Sequence, residues 1–263
     1  MRHVTTPSGV EIACEVSGSG PPLVMVHGAG SARWGFALLR PLLEGRFTVI
    51  AIDRRGRGDS GDGEGPYAIE SEFEDVAAIV RDAGEGALLF GHSYGALVAA
   101  GAAPLIETLP RLVLYEPPMG GLLAAAERIE RWESLIESGD RDRELAVGEF
   151  LQSIGGYSAE EIEQMKATPA WELRMQAAPT LPRELRAEQA LRLEQLGLGL
   201  LGRPVLMLVG SQSPEWARRS TAGFARALPR VEVRTLEGQG HGGTMSAPDL
   251  VASEIARFLE RPA

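Results

Sequence analysis

Two residues in glycine-rich surroundings, Ser93 and His241, have the chemistry of a nucleophile and of a general base. Ser93 is the central residue of Gly91–Gly95 (GHSYG), which follows the apolar run Ala87–Phe90 and precedes an alanine-rich segment. A strand, a tight turn and a helix in this order form a nucleophile elbow, which holds a serine in a strained conformation with its hydroxyl exposed. The position of the pentapeptide between these elements therefore predicts that Ser93 is a nucleophile.

The base must come from a small set of histidines. A serine hydroxyl is hardly ionised at neutral pH and needs a neighbouring base to attack a substrate. The four histidines are His3, His27, His92 and His241. His3 belongs to the N-terminal tail and His27 to a turn after an early strand, and we expect the His92 side chain to face away from Ser93. His241 lies in a glycine-rich loop after the last predicted strand, where it is free to project over a site, and it is the predicted base.

The elements that position these residues alternate between two patterns. Short apolar runs, typical of strands covered on both faces, are separated by segments in which apolar residues recur with helical period. This alternation predicts an α/β fold with a mostly parallel central sheet flanked by helices. An N-terminal hairpin that includes Val10–Val16 precedes the other predicted strands, which are Leu23–Val26, Phe47–Ile52, Ala87–Phe90, Leu112–Tyr115, Val205–Val209 and Val231–Leu236.

One long segment interrupts the alternation. Residues 119–202 contain no convincing strand, and their helical stretches are separated by glycine, serine and proline. We expect an all-helical cap (119–202) inserted after the sixth strand into a core made of residues 1–118 and 203–263. Because this segment interrupts the alternation of strands and helices, we interpret it as an insertion into the α/β core and not as a second complete domain.

Composition excludes several classes of protein. The 263 residues are 44% hydrophobic and 24% charged, with a net charge of -10 and scattered basic residues, which argues against nucleic acid or an anionic membrane as a partner. Neither a secretory signal nor an apolar stretch of about 18 residues is found, so a cytoplasmic location is expected. The single cysteine excludes a disulfide framework. Neither a metal nor a cofactor is predicted, because histidine pairs at ligand spacing and a GxGxxG turn are lacking.

Four motifs occur along the chain in a fixed order: His27–Gly30 (HGAG), Asp53–Ser60 (DRRGRGDS), Gly91–Gly95 and Gly240–Gly242. Together they resemble the α/β-hydrolase family, and their order and spacing agree with it over essentially the whole chain. The resemblance implies that the cap is a lid over the active site. It also implies that the backbone N–H groups of Ala29 and Tyr94 form an oxyanion hole, each donor contributing about 3 kcal/mol to transition-state stabilisation.

The acid of the expected triad departs from the usual family pattern. Ser213 stands where the family usually has aspartate, after the penultimate strand. Glu116 ends the strand that follows Ser93, and an acid in this place resembles the fungal zearalenone-lactone hydrolases and some haloalkane dehalogenases. We favour Glu116 as the acid. Glu215, just beyond the usual position, and a dyad without an acid are the alternatives.

The resemblance and the candidate residues predict a serine hydrolase that cleaves a carboxylic ester or lactone through an acyl-enzyme. Dehalogenase and epoxide hydrolase activities are disfavoured because those relatives need aspartate in place of Ser93. The alternatives are a C–C bond hydrolase, acyltransferase or cyclase using the same triad in a biosynthetic pathway, and a non-catalytic ligand-binding protein. Met119, Trp171 and Met245 are candidate pocket residues for a small to medium apolar substrate, the expected partner. A homodimer is possible.

Overall fold

The computed structural model describes residues 1–261 and has a mixed eight-stranded sheet at its centre. Its strands are β1 (Arg2–Thr5), β2 (Glu11–Gly18), β3 (Pro22–Val26), β4 (Thr48–Ile52), β5 (Leu88–His92), β6 (Leu112–Tyr115), β7 (Val205–Gly210) and β8 (Val231–Leu236). They are arranged in the order β1-β2-β4-β3-β5-β6-β7-β8. The β1–β2 and β2–β4 pairs are antiparallel, and the pairs from β4 to β8 are parallel.

Helices cover both faces of this sheet and fill the interval between β6 and β7. The predicted α/β fold is thereby confirmed, because the continuous apolar runs form strands that are buried on both faces. The α-helices are α1 (Ile69–Ala83), α2 (Tyr94–Ala102), α3 (Ala126–Ser138), α4 (Asp140–Phe150), α5 (Ala159–Lys166), α6 (Pro169–Ala177), α7 (Leu181–Ala190), α8 (Glu215–Ala227), α9 (Gly243–Ser246) and α10 (Pro248–Leu259).

The helices between β6 and β7 have an apolar core of their own. The expected all-helical insertion after the sixth strand is present, and side chains such as Trp132, Phe150 and Leu181 pack together within it. Its two ends differ, because Met119 and Leu191 pack in the cluster that lies against the sheet. The division of the chain at residues 119 and 202 stays a prediction.

The sheet topology defines where a site can form. From β3 the chain continues to β4 on one side, and β5 lies on the other side of β3, so a crevice forms at their carboxyl ends. The pairs Val26 with Gly91, His92 with Tyr115, and Tyr115 with Leu208 align these ends. Residues that follow β3, β5, β6 and β7 therefore meet at one edge. No helix within residues 1–261 is long and apolar enough to cross a membrane.

Candidate active site

Ser93 occupies a sharp turn between β5 and α2. Its φ of 56° lies in the left-handed region, which residues other than glycine seldom adopt. The close crossing of strand and helix explains the two glycines that flank it. A Cβ atom on Gly91 would lie 2.4 Å from the carbonyl oxygen of Gly95, and one on Gly95 would lie 2.2 Å from that of Val26. The sequence therefore forms the strand–turn–helix elbow that its spacing predicts.

Glu116 has the same unusual backbone conformation as Ser93. Its φ is 49°, and no other residue except glycine has a positive φ within residues 1–261. Glu116 directly follows β6, and its N–H donates to the carbonyl oxygen of Leu208 at 3.2 Å. Such strained conformations cluster at functional sites, where the surrounding structure holds them in place. The two strained residues lie on neighbouring strand ends, since the Ser93 N–H donates to the Tyr115 carbonyl at 2.8 Å.

A chain of hydrogen bonds joins Ser93, His241 and Glu116. The Oγ of Ser93 lies 2.9 Å from Nε2 of His241, and Nδ1 of His241 lies 2.5 Å from Oε2 of Glu116. A carboxylate accepts hydrogen bonds only, so Nδ1 carries the proton and Nε2 is free to accept from the serine. The three side chains are buried, with Glu116 fully inaccessible. This geometry meets the distance requirement for a general base.

The Glu116 carboxylate is held by groups at the end of β7. Its Oε1 accepts from the Gly210 N–H at 2.7 Å and from the Ser213 hydroxyl. Burial raises the pKa of Glu116, but the hydrogen bonds from His241, Ser213 and Gly210 bring this pKa below its ordinary value. Ser213, the residue at the usual position of the family's acid, thus donates to a carboxylate that comes from the neighbouring strand.

Glu215, the alternative acid, is located elsewhere. It is the first residue of α8, its side chain is 78% exposed, and it lies 3.9 Å from Arg219 on the same helix. The structure therefore brings Glu116, and not Glu215, to the imidazole of His241. The role of Glu116 as the acid is part of the proposal below.

Three side chains that the sequence analysis did not assign hold His241 in place. The Tyr115 hydroxyl donates to the Gly240 carbonyl at 2.6 Å, and His92 Nε2 donates to the His241 carbonyl at 2.9 Å. The Trp216 ring packs edge-on against the His241 imidazole, with centroids 4.9 Å apart. The loop that carries the predicted base is thus fixed from three sides.

The prediction that His92 faces away from the site is wrong. Its ring lies 4.9 Å from the His241 ring, and both residues line the same cavity. Burial and the nearby His241 lower the pKa of His92 to about 3, so it stays neutral and donates from Nε2. The reason is the direction of β5, which continues through His92 and turns only at Ser93. Pairing of His92 with Tyr115 in the sheet could not be read from the pentapeptide.

The two candidate oxyanion donors lie beside Ser93. Tyr94 begins α2, and N–H groups in the first turn of a helix have no acceptor within the helix. Ala29 lines the cavity with Ser93, and the preceding Gly28 passes so close that a Cβ atom there would lie 2.9 Å from the Ser93 Cβ. The Tyr94 side chain points elsewhere, with its hydroxyl 3.0 Å from that of Tyr67.

A small cavity of about 70 Å³ is lined by Ser93, His241 and the cap. Met245 lines this cavity, whereas Met119 and Trp171 do not, and this corrects the assignment of those two residues to the same pocket. Met119 packs against the sheet and Trp171 in the cap core, because apolar side chains at helical spacing serve mainly to join elements. The cap contributes other lining residues: Phe150, Leu151, Ile154, Tyr157 and Arg174.

Arg174 was also missed by the sequence analysis, although the sequence contains a signal. It occupies the second place of an i, i+3, i+4, i+7 pattern with Trp171, Met175 and Ala178, all of which are buried. A charged residue within such an apolar stripe is unusual.

Within residues 1–261, no group of three His, Cys, Asp or Glu side chains is arranged to hold a metal ion.

A mostly parallel sheet with a strained serine turn after β5 and helices inserted after β6 defines an enzyme of the hydrolase class. The chain belongs to the alpha/beta hydrolase family, whose model matches residues 23–254. It is similar to a crystal structure of an alpha/beta hydrolase from Sphaerobacter thermophilus, with 35% identity, a TM-score of 0.82, and coverage of 98% of this chain and 99% of that chain.

Two named enzymes show more distant similarity. The 2-(acetamidomethylene)succinate hydrolase of Mesorhizobium japonicum is 26% identical, covering 92% of this chain and 89% of that protein. The pimeloyl-[acyl-carrier protein] methyl ester esterase of Xanthomonas campestris pv. campestris is also 26% identical, covering 93% of this chain and 97% of that protein.

Proposed function

We propose that this enzyme is a serine hydrolase that cleaves a carboxylic ester or lactone through an acyl-enzyme. The hydrogen-bond chain from Ser93 through His241 to Glu116 carries the proposal, because it couples a hydroxyl to a base and the base to a buried carboxylate. The strained turn at Ser93 supports it, since a nucleophile elbow presents the hydroxyl in this way.

Acylation begins when the Ser93 Oγ attacks the acyl carbon and its proton passes to Nε2 of His241. The ionised Glu116 stabilises the imidazolium that forms and keeps the proton on Nδ1. The negative charge on the substrate oxygen is stabilised by the N–H groups of Ala29 and Tyr94. As the tetrahedral intermediate collapses, the bond to the alcohol oxygen breaks and Nε2 of His241 gives its proton to that oxygen.

Deacylation repeats these steps with water as the nucleophile. His241 takes a proton from water, the hydroxide oxygen bonds to the acyl carbon, and the bond to Ser93 Oγ breaks. The proton then returns from His241 to Ser93 and the carboxylic acid is released. With a lactone the chemistry is the same, except that the alcohol stays attached to the product.

The similarity to a methyl ester esterase supports an ester as the substrate class. C–C bond hydrolysis, acyl transfer and cyclisation would use the same three residues, and a ligand-binding protein would use the cavity without turnover. These competing functions differ in whether Ser93 becomes acylated and in whether water completes the reaction.

A fluorophosphonate probe tests the nucleophile, and hydrolysis of methyl butyrate and butyrolactone tests the reaction. We expect the wild-type enzyme to be labelled and to release acid, and Ser93→Ala to do neither. Ser138→Ala, at the exposed end of α3, is the matched control and should behave as the wild type. Labelling that persists in Ser93→Ala would overturn the proposal. Absence of both labelling and turnover across esters and lactones of graded size would instead favour ligand binding.

A further inference from the structure

The cavity that contains Ser93 also contains a buried positive charge. Arg174, on α6 of the cap, is only 8% exposed, and of the described residues that line the cavity it alone carries a permanent charge. A guanidinium has five N–H donors in a fixed planar arrangement and stays protonated in proteins. Its place in the cavity is therefore a site of fixed charge and of several hydrogen-bond donors.

In the described part of the chain, Arg174 has no anionic partner. Nη1 donates to the Gly30 carbonyl at 3.3 Å, Nη2 lies 3.9 Å from the Met245 sulfur, and the guanidinium stacks 4.9 Å from the Trp34 ring centroid. Within residues 1–261, no carboxylate oxygen lies within 4.0 Å of this guanidinium. The guanidinium is therefore contacted by a carbonyl, a thioether and an aromatic ring, whereas a buried charge is normally paired with a group of opposite charge.

Burial of this charge without a carboxylate partner affects the pKa of Arg174 and of the neighbouring Tyr157. Burial lowers the pKa of Arg174, and the nearby Tyr157 only partly opposes this effect. Burial raises the pKa of Tyr157, while the guanidinium lowers it. If this position served only to pack the cap, an uncharged side chain of similar size would give a more stable folded protein. The charge is retained without a partner, which indicates that the partner arrives with the substrate.

The location of Arg174 indicates that an anion bound to it would lie close to the reacting atoms. The carbonyl that it contacts belongs to Gly30, the residue after the proposed oxyanion donor Ala29. Arg174 also lies close enough to His92 to act on the charge of that residue, which precedes Ser93. An anion bound by Arg174 would therefore be separated from the acyl carbon at Ser93 by a short spacer only. The cavity volume of about 70 Å³ likewise indicates a small substrate.

We infer that Arg174 binds a free carboxylate of the substrate, so that the enzyme acts on short acyl compounds with a second, ionised carboxyl group, such as the monoester of a small dicarboxylic acid. A carboxylate matches the planar guanidinium in a bidentate geometry, which the small cavity favours over a bulkier tetrahedral anion. The apolar residues Phe150, Leu151 and Ile154 would enclose the spacer. This inference rests on the proposed ester hydrolysis at Ser93 and narrows its substrate class.

Binding can be measured without turnover in the Ser93→Ala variant. Calorimetry should detect monomethyl succinate and monomethyl glutarate, and should detect methyl butyrate and methyl pentanoate, which match them in chain length, much more weakly. Adding Arg174→Met should reduce the affinity for the two monoesters by about tenfold or more, the contribution of one hydrogen-bonded charge. Arg174→Lys should restore part of the loss. Equal binding of charged and neutral esters would overturn the inference, as would retained affinity in Arg174→Met.

Steady-state kinetics test the role of Arg174 independently of the binding measurement. The ratio of kcat/KM for monomethyl succinate to that for methyl butyrate should favour the anion in the wild type and should fall by about tenfold or more in Arg174→Met, mainly through KM. Arg186→Met removes an exposed arginine of the same cap that pairs with Glu133, and it should keep the wild-type ratio. Thermal unfolding of each variant confirms that it folds. Ester hydrolysis without any preference for the anion would overturn the role of Arg174 and leave the serine hydrolase intact. Failed labelling of Ser93, together with anion binding that depends on Arg174, would instead overturn the proposed reaction and leave the anion site intact.

Discussion

Two buried arginines near the active site have opposite electrostatic surroundings. Arg54 stacks on the Tyr94 ring, is 1% exposed, and donates to Glu72 at 2.7 and 2.9 Å and also to Glu184. Arg174 lies in the cavity with hardly more exposure and has no carboxylate within reach in the described chain. The first charge is neutralised by the fold, while the second is left to be neutralised by a ligand.

This difference distinguishes charges that stabilise the fold from charges proposed to take part in catalysis or substrate binding. The cluster formed by Arg54, Arg57, Glu72 and Glu184 joins the loop after β4 to α1 of the core and α7 of the cap, and its charges offset one another within the protein. In the proposed mechanism, the charge of Glu116 is balanced by the imidazolium only during the reaction. The charge of Arg174 is, by the same proposal, balanced only when a substrate carboxylate is bound. The two charges that the proposed function uses are thus left without a full counter-charge in the free protein.

The largest effect is expected from removing the charge of Glu116. Glu116→Gln keeps the size of the side chain but cannot stabilise the imidazolium of His241, and an amide can also favour the wrong tautomer. We expect kcat to fall by about 10³–10⁴-fold. The same exchange at the exposed Glu215 should leave kcat unchanged. Steady-state hydrolysis of methyl butyrate provides the measurement, and the reverse pattern would assign the acid to Glu215 and contradict the comparison.

The next largest effect is on stability, in the compensated cluster. Arg54→Met leaves Glu72 and Glu184 buried with too little positive charge, which should lower the free energy of unfolding by about 3–5 kcal/mol. Arg174→Met should leave it unchanged or raise it, because the substitution removes a charge that has no anionic partner. Urea denaturation of both variants, with the exposed Arg46→Met as the control, compares the two sites. Equal losses at Arg54 and Arg174 would show that both charges serve the fold.

A smaller effect is expected at Glu188, a buried carboxyl group whose hydrogen bonding is only partly satisfied. Its Oε1 accepts from the Gly121 N–H at 2.9 Å, while its Oε2 has no hydrogen-bond partner in the described chain. Burial raises the pKa of Glu188 to about 7, against the N–H groups of Gly121 and Leu122, which lower it. The folded protein therefore binds this proton more tightly than the unfolded chain. The resulting stability is fully present below the ordinary pKa near 4.5 and is lost as pH rises through about 7.

Glu188→Gln removes this dependence on pH. Between about pH 5 and pH 8 the wild type should lose up to roughly 3 kcal/mol more unfolding free energy than the variant, since each pH unit between the two pKa values contributes about 1.4 kcal/mol. Urea denaturation at the two pH values measures the difference. Parallel losses in both proteins would mean that Glu188 is ionised in the folded state and finds a partner there.

Much of the fold could be predicted because it depends on local patterns. Continuous apolar runs of four to six residues specify buried parallel strands, and the predicted strand Leu112–Tyr115 coincides with β6. The predicted strand Ala87–Phe90 ends too early, because β5 continues through Gly91 and His92 by pairing with β6. That pairing is a contact between distant parts of the chain and leaves no signal in the local pattern.

By itself, the sequence determined the strand–turn–helix around Ser93 and the glycine-rich loop of His241, because glycine, strand and helix signals act over a few residues. Only the tertiary structure decided which carboxylate meets His241, since both Glu116 and Glu215 lie shortly after a predicted strand and the sheet register brings just one of them to the imidazole. It likewise decided that Met119 and Trp171 pack in cores while Arg174 reaches the cavity. Helical spacing places all three on buried faces, and what each face meets depends on how the cap is docked on the sheet.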